Sequence, residues 1–121
     1  MQQKHATGKM SYHAGLAAEE LVAADYARRG HDVVAQRWRG SRGELDLVVR
    51  DGDGFIIVEV KQARDFASAL THLTQAQLAR IHATAAEFAA REPNGQLTEL
   101  RLDVALVDGI GQVEIQENFW A

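Results

Sequence analysis

The sequence predicts a single α/β domain, a central mixed β-sheet flanked by helices in the order α-β-β-β-α-β-β. Three observations carry this reading. Residues 44–50 and 55–61 are apolar segments on either side of Asp51, Gly52, Asp53 and Gly54, which is the signature of a β-hairpin. Two stretches with helical periodicity, 12–29 and 67–91, lie on either side of that hairpin. Short β-rich segments at 100–107 and 112–116 surround the turn residues 108–111.

Taken in order, residues 1–10 read as a loose, flexible tail and residues 11–121 as one domain. The first helix stops at Gly30, a natural C′ residue, with Arg28 and Arg29 in its last turn. A strand is expected over 32–38, and Gly40 and Gly43 then break the chain. After the hairpin, the second helix carries the stripe Leu70, Leu73, Ile81, Ala85 and Phe88. It ends before Pro93, the only proline, which with Asn94 and Gly95 marks a turn.

Composition bounds the function classes. A chain of 121 residues has room for one core. Its 46% hydrophobic and 25% charged residues match a soluble globular protein. No apolar run approaches the ~18 residues of a membrane span, and the N-terminus lacks the apolar stretch of a signal peptide. Zero cysteines exclude disulfides and thiolate chemistry, and a cytoplasmic location is expected. The five histidines lack the spacing of a zinc enzyme. Net charge is −4, but it is unevenly spread. Arg28, Arg29, Arg37, Arg39 and Arg42 face one acid, Asp32, in one stretch, whereas residues 87–121 hold seven acids and two arginines. The basic stretch is either an anion-facing side or a set of solvated loop arginines.

The hairpin carries the chemistry. If the four turn residues form its loop, Arg50 lies opposite Phe55, Asp46 opposite Glu59, and Glu44 opposite Lys61. Directly opposed residues share a face, so three carboxylates and one ammonium gather there. Leu45, Leu47, Val49, Ile56, Val58 and Val60 would face the other way. Opposed like charges are destabilising, and a divalent cation between Asp46 and Glu59 would reverse that sign. An Asp and a Glu supply the oxygen ligands Mg²⁺ prefers. A lysine two residues on can orient an attacking water or stabilise charge on a phosphate. These are the parts of metal-assisted phosphodiester hydrolysis. The bland readings are a Glu44–Lys61 surface ion pair and an exposed Asp46.

Two helical residues border this site. Glu19 lies within about 60° of Gly15, Val22 and Tyr26 around the first helix. It can reach over the sheet edge toward a metal, or serve as an i,i+4 surface charge. Gln77 falls in the centre of the second helix's apolar stripe, and a buried Gln needs partners. It is bonded to backbone in the core or aimed at the site. Trp38, Phe119 and Trp120 read as core or interface residues rather than base-stacking platforms.

Asp46, twelve intervening residues and Glu59-x-Lys61 resemble the PD-(D/E)xK nuclease signature. The chain resembles more closely the YraN family of small bacterial proteins, from about Gly15 to Val107. Gly15-x-x-x-Glu19 and Gly30 are similar to that family's first helix. Gly43-Glu44-Leu45-Asp46-Leu47, Val58-Glu59-Val60-Lys61 and Arg101-Leu102-Asp103-Val104 are similar to its three strand motifs. The chain departs from the pattern at three places: Leu45 replaces the superfamily's Pro, Gln62-Ala63 the usual Thr-Arg, and Gln77 the usual second-helix Lys.

The resemblance implies a restriction-endonuclease-like fold and a Mg²⁺- or Mn²⁺-dependent endonuclease acting on branched or damaged DNA. Asp46, Glu59 and Glu19 would be the metal set, Lys61 would position the nucleophile, Glu44 would tune Lys61, and Gln77 would orient water or substrate. Arg37, Arg39, Arg42 and Arg64 would contact nucleic acid. Resolvase-like members cut two symmetric strands, so a homodimer is expected, with Phe119 and Trp120 as a candidate contact. The alternative is a non-catalytic module that binds nucleic acid or a protein on the same fold.

Overall fold

The computed structural model describes residues 2–120, with side chains from Gly15 onward. Helix α1 (Gln2–Arg28) is followed by strands β1 (Val33–Arg39), β2 (Glu44–Asp51) and β3 (Gly54–Gln62). Helices α2 (Phe66–Thr71) and α3 (Gln75–Ala90) then lead through a 3₁₀ turn at Gly95–Leu97 to β4 (Leu100–Val107) and β5 (Val113–Gln116). Helix α1 starts well ahead of the expected residue 12, and the side chains of the expected tail, 1–10, lie outside the described residues.

The five strands lie in the order β1-β2-β3-β4-β5. All neighbours are antiparallel except β3 and β4. A parallel pair needs a crossover, and α2 and α3 provide it. Helix α1 covers one face, burying Ala18, Val22 and Tyr26 against Leu47, Val49, Ile56, Val58, Ala105 and Val107. Helix α3 covers the other, packing Ile81, Ala85 and Phe88 on Val48, Phe55, Ile57 and Leu102. Short α2 sets Ala69 on Val104 and Leu106. Strand β3 is apolar through Val58 because both its faces are covered.

Gly30 ends α1 as expected, at φ +88, in a Schellman arrangement. The Gly30 amide donates to Ala27 O and the His31 amide to Tyr26 O, both at 3.0 Å. The single second helix expected over 67–91 is instead two. Asp65 caps α2 by accepting from the Ser68 amide at 2.7 Å. Thr74 caps α3 in a reciprocal box with Gln77. A threonine followed three residues later by a glutamine is a helix-start signal within the apparent continuous stripe.

The hairpin register is the expected one from Arg50↔Phe55 to Leu47↔Val58, with Asp51↔Gly54 closing a tighter turn. The strict alternation fails at one place. Leu45 packs with Val48 in the α3-side core, whereas Leu47 packs on the α1 side. Strand β1 breaks step beside it: Ala35 and Trp38, three apart, pack against the same α3-side core. Arg37 lies between them at φ +50, a left-handed backbone that turns the strand over. With Gln36 opposite Leu47 and Trp38 opposite Leu45, Arg37 stands level with Asp46. The simple alternation of faces is therefore lost in β1 and β2 where the candidate site begins.

Candidate metal and nucleic-acid site

The last rung between β2 and β3 is Leu47↔Val58. Beyond it the strands part, and the Asp46 side chain fills the gap, its Oδ2 accepting from the Val60 amide at 2.9 Å. Asp46 and Glu59 come together here at a strand fork rather than on a shared ladder rung. Glu59 stands close enough to the Asp46 carboxylate for its protonated form to donate a hydrogen bond to it. Burial, that hydrogen bond and the Asp46 charge push the Glu59 carboxyl up to about 9, while nearby Lys61 and the Val60 amide pull it down. A carboxyl in this position holds its proton until something cationic replaces it.

Glu19 comes in from α1. Arg37 grips it with a fork, Nε donating to Oε1 at 3.0 Å and Nη2 to Oε2 at 3.1 Å. Burial raises the Glu19 carboxyl, the Arg37 hydrogen bonds oppose this, and the charges of Asp46 and Glu44 add to the rise. Glu19 is therefore neither a pure surface charge nor a ready ligand. It stands within the field of Asp46 but is held by a guanidinium.

Glu44 does not meet Lys61. It accepts from Arg39 across the β1–β2 pair at 3.2 Å, so neither the expected opposition of Glu44 and Lys61 nor the alternative surface ion pair between them is formed. The fork explains the change, because β2 has left β3 before Glu44 is reached. Gln77 is half-buried, its Oε1 accepting from the Thr74 amide at 3.2 Å. It is thus a capping residue, yet it also lines the cleft of about 210 Å³ that holds Glu59 and Glu44.

The same cleft contains Arg80, which the sequence reading missed. Its position was available in the spacing: one helical turn beyond Gln77, it shares Gln77's side of α3. The cation absent at Gln77 is supplied one turn later. Glu87, further along α3, fixes the cleft's rim by accepting from the Ser41 amide at 2.8 Å. A side chain at Gly40 would collide with the Glu87 carboxylate and the Trp38 ring, so the loop needs glycine there.

The arginines proposed for nucleic acid are all exposed, and none of them lines this cleft. Arg37 holds Glu19, Arg39 holds Glu44, and Arg64 lies 3.6 Å from Asp65 beyond β3. Arg42 lies in the β1–β2 loop. Arg28 and Arg29 are turned toward Asp25 at the far end of α1. Much of the basic stretch is thus neutralised locally. Phe119 and Trp120 pack against the chain's own α3-side core, with Trp120 edge-on to His82.

Among the described residues, no three His, Cys, Asp or Glu side chains form a ready-made metal cage. The donor set nevertheless fits a hard cation that binds through one or two carboxylates and keeps its waters. Asp46 and Glu59 can supply those oxygens, and a cation between them would offset the burial and the Asp46 charge that favour protonated Glu59.

A buried polar cluster lies on the α1 side of β4. Asp103, 0% exposed, accepts a fork from Arg101 at 2.8 Å, the Tyr26 hydroxyl at 2.6 Å and the Asn118 amide at 3.0 Å. Burial first, then its bond and charge partner Asp103, raise the Tyr26 hydroxyl well above its usual range. This cluster ties α1, β4 and the C-terminal segment together and positions the helix that carries Glu19.

Comparison with known families gives the same region. The profile of the Uncharacterised protein family UPF0102 matches residues 18–107. The chain belongs to UPF0102, the YraN family. A UPF0102 protein of Ruegeria pomeroyi is 57% identical over 92% of this chain and 90% of its own length. One from Cereibacter sphaeroides is 52% identical over 95% and 98%, and one from Dinoroseobacter shibae 44% over 95% and 86%. The UPF0102 match spans Glu19, Asp46, Glu59, Lys61, Gln77 and Arg80. Among the described residues, no helix of this UPF0102 chain is long and apolar enough to cross a membrane.

Proposed function

We propose that this UPF0102 protein is a Mg²⁺- or Mn²⁺-dependent endonuclease of the PD-(D/E)xK type, acting on branched or damaged DNA in the cytoplasm. One observation carries the reading: Asp46, anchored on the Val60 amide at the fork of β2 and β3, stands beside Glu59, with Lys61 close enough to act on Glu59. A fold selected for stability alone has no use for two carboxyls pressed together in a half-buried site.

Asp46 and Glu59 would hold the ion, and Glu19 would join directly or through water. When bound, the ion supplies a water of lowered pKa and neutralises charge on the phosphate. Lys61 faces the same site from β3, orients the attacking water and stabilises charge developing on the phosphate. Gln77 and Arg80 line the cleft from α3, Gln77 as a polar contact and Arg80 as a phosphate contact. Arg39, Arg42 and Arg64 would add phosphate contacts around the rim. Resolvase-type cutting of paired strands would call for a homodimer.

The second reading, a binding module without turnover, is favoured by the pairing of Arg37 and Arg39 with acids and the net charge of −4. Titrating the purified chain with Mn²⁺ or Mg²⁺ against linear, flapped and four-way DNAs separates the two. Metal-dependent cleavage of any of them supports the enzyme. Binding without cleavage, across metals and substrates, rejects it.

A further inference from the structure

Glu19 is the carboxylate that would complete a three-acid site, and both its oxygens are taken by Arg37. The pair is lodged at the site's edge, with Glu19 16% and Arg37 37% exposed. Two features show how specifically it is built. Arg37 reaches Glu19 from φ +50, a backbone region that side chains avoid. It also stands level with Asp46, so the positive-φ residue lies beside the metal position. Burial, with the nearby charges of Asp46 and Glu44, disfavours a bare Glu19 carboxylate, and a cation beside it relieves this. In the metal-free chain the guanidinium is that cation.

A guanidinium fork fits a carboxylate and a phosphodiester equally well in geometry. The Arg37 head is partly exposed, so such an anion can approach it from solvent. We propose that Arg37 is a substrate-released latch: it withholds Glu19 from the metal until a backbone phosphate takes the guanidinium. Arg37 is then a positioning residue, and phosphate binding and metal binding favour each other through the exchange. The identity of the anion rests on the nuclease reading; the competition between Arg37 and the metal for Glu19 does not.

The test is Mn²⁺ binding by calorimetry on the full chain, followed by the same titration with DNA present. Arg37→Asn keeps a residue tolerant of positive φ, and Arg37→Gly serves as a second variant should the first fold poorly. Removing the latch should tighten Mn²⁺ binding by roughly three- to tenfold, the scale of a partly exposed bidentate pair. In a Glu19→Gln background the same change should have no effect. A merely structural Arg37 would weaken binding, and simple charge repulsion would tighten it equally in both backgrounds. Either result overturns the latch. Asp46→Asn is the control for the site itself: if it leaves Mn²⁺ affinity unchanged, the metal reading fails and the latch with it.

The release step is read in a Lys61→Ala background, in which turnover is slowed by roughly 10²–10³. A four-way DNA junction should tighten Mn²⁺ binding there, and should do so less in the Lys61→Ala, Arg37→Asn double variant. Equal coupling in the two chains overturns release while leaving the metal site intact. A junction that does not bind overturns the nucleic-acid reading and the release step together, but leaves the Arg37–metal competition to stand on the first titration.

Discussion

The Val60 amide donates to the Asp46 carboxylate across the fork of β2 and β3, where a strand carbonyl would otherwise receive it. Asp46 therefore has two jobs, a backbone cap and an acid beside Glu59. Asp46→Asn keeps an acceptor for Val60 and offers an amide donor to Glu59. Metal-free stability should hold or rise, and metal affinity should vanish, as read by denaturant unfolding and calorimetry. Asp46→Ala strands a buried N–H, which typically costs about 1–3 kcal/mol. A large stability loss in the Asn variant would make Asp46 a structural residue alone.

Glu59 makes the metal-free protein pH-sensitive. Its folded value, about 9, lies above the ordinary 4.5. The native state then binds a proton that the unfolded state has lost, so stability is full below 4.5 and falls as pH rises through about 9. One group sets a limit of about 1.4 kcal/mol per pH unit. Glu59→Gln should flatten the difference between pH 5 and 9 in unfolding experiments. Metal binding near pH 7.5 should release about one proton, measurable as a buffer-dependent heat. Parallel pH profiles of wild type and variant would contradict the assignment.

The fold and half of the site were legible in the chain. Hairpin register follows from a short glycine turn and two apolar strands, so Arg50↔Phe55 could be read directly. The fork could not, because nothing in the alternation signals that the ladder of β2 and β3 ends at Leu47↔Val58. Beyond that rung Leu45 packs on the α3 side and Glu44 accepts from Arg39. Helix α3's start was readable in Thr74 and Gln77 but was masked by an apolar stripe that continues through it. Arg80 shares Gln77's side of α3 by helical spacing, but only the folded chain sets that side against Glu59.

Asp103 gives a prediction about architecture rather than chemistry. Its charge is buried and satisfied by Arg101, Tyr26 and Asn118. Tyr26→Phe removes one donor from that carboxylate and should destabilise the chain by about 1–3 kcal/mol. Metal affinity should change little, because Asp46 and Glu59 lie beyond that cluster on the β2–β3 fork. Unfolding and calorimetry on the same variant check both halves. A loss of metal affinity without a loss of stability would place Tyr26 in the site.

Arg80 should act on nucleic acid alone. It lines the cleft beside Glu59 from α3, and its backbone carbonyl, not its guanidinium, is what Thr84 bonds at 2.7 Å. Arg80→Ala should leave stability nearly unchanged and lower DNA affinity. If it contacts one phosphate, the dependence of log affinity on log salt should fall by about one. An unchanged salt slope with unchanged affinity would remove Arg80 from the interface.

Lys61 separates the enzyme from the binder. Lys61→Ala leaves Asp46 and Glu59 in place while deleting the cation that acts on Glu59. Metal binding should persist, since an ammonium is no ligand and repels the ion if anything. Turnover should fall by roughly 10²–10³, the scale of losing one group that stabilises transition-state charge. DNA affinity should fall only modestly, because one phosphate contact among several is lost. A binding module predicts the opposite pattern, with no metal-dependent cleavage by the wild type and an effect of the substitution on affinity alone. Cleavage and binding measured on one four-way junction at fixed salt distinguish them, and an inactive wild type across metals would leave the fold standing without the nuclease.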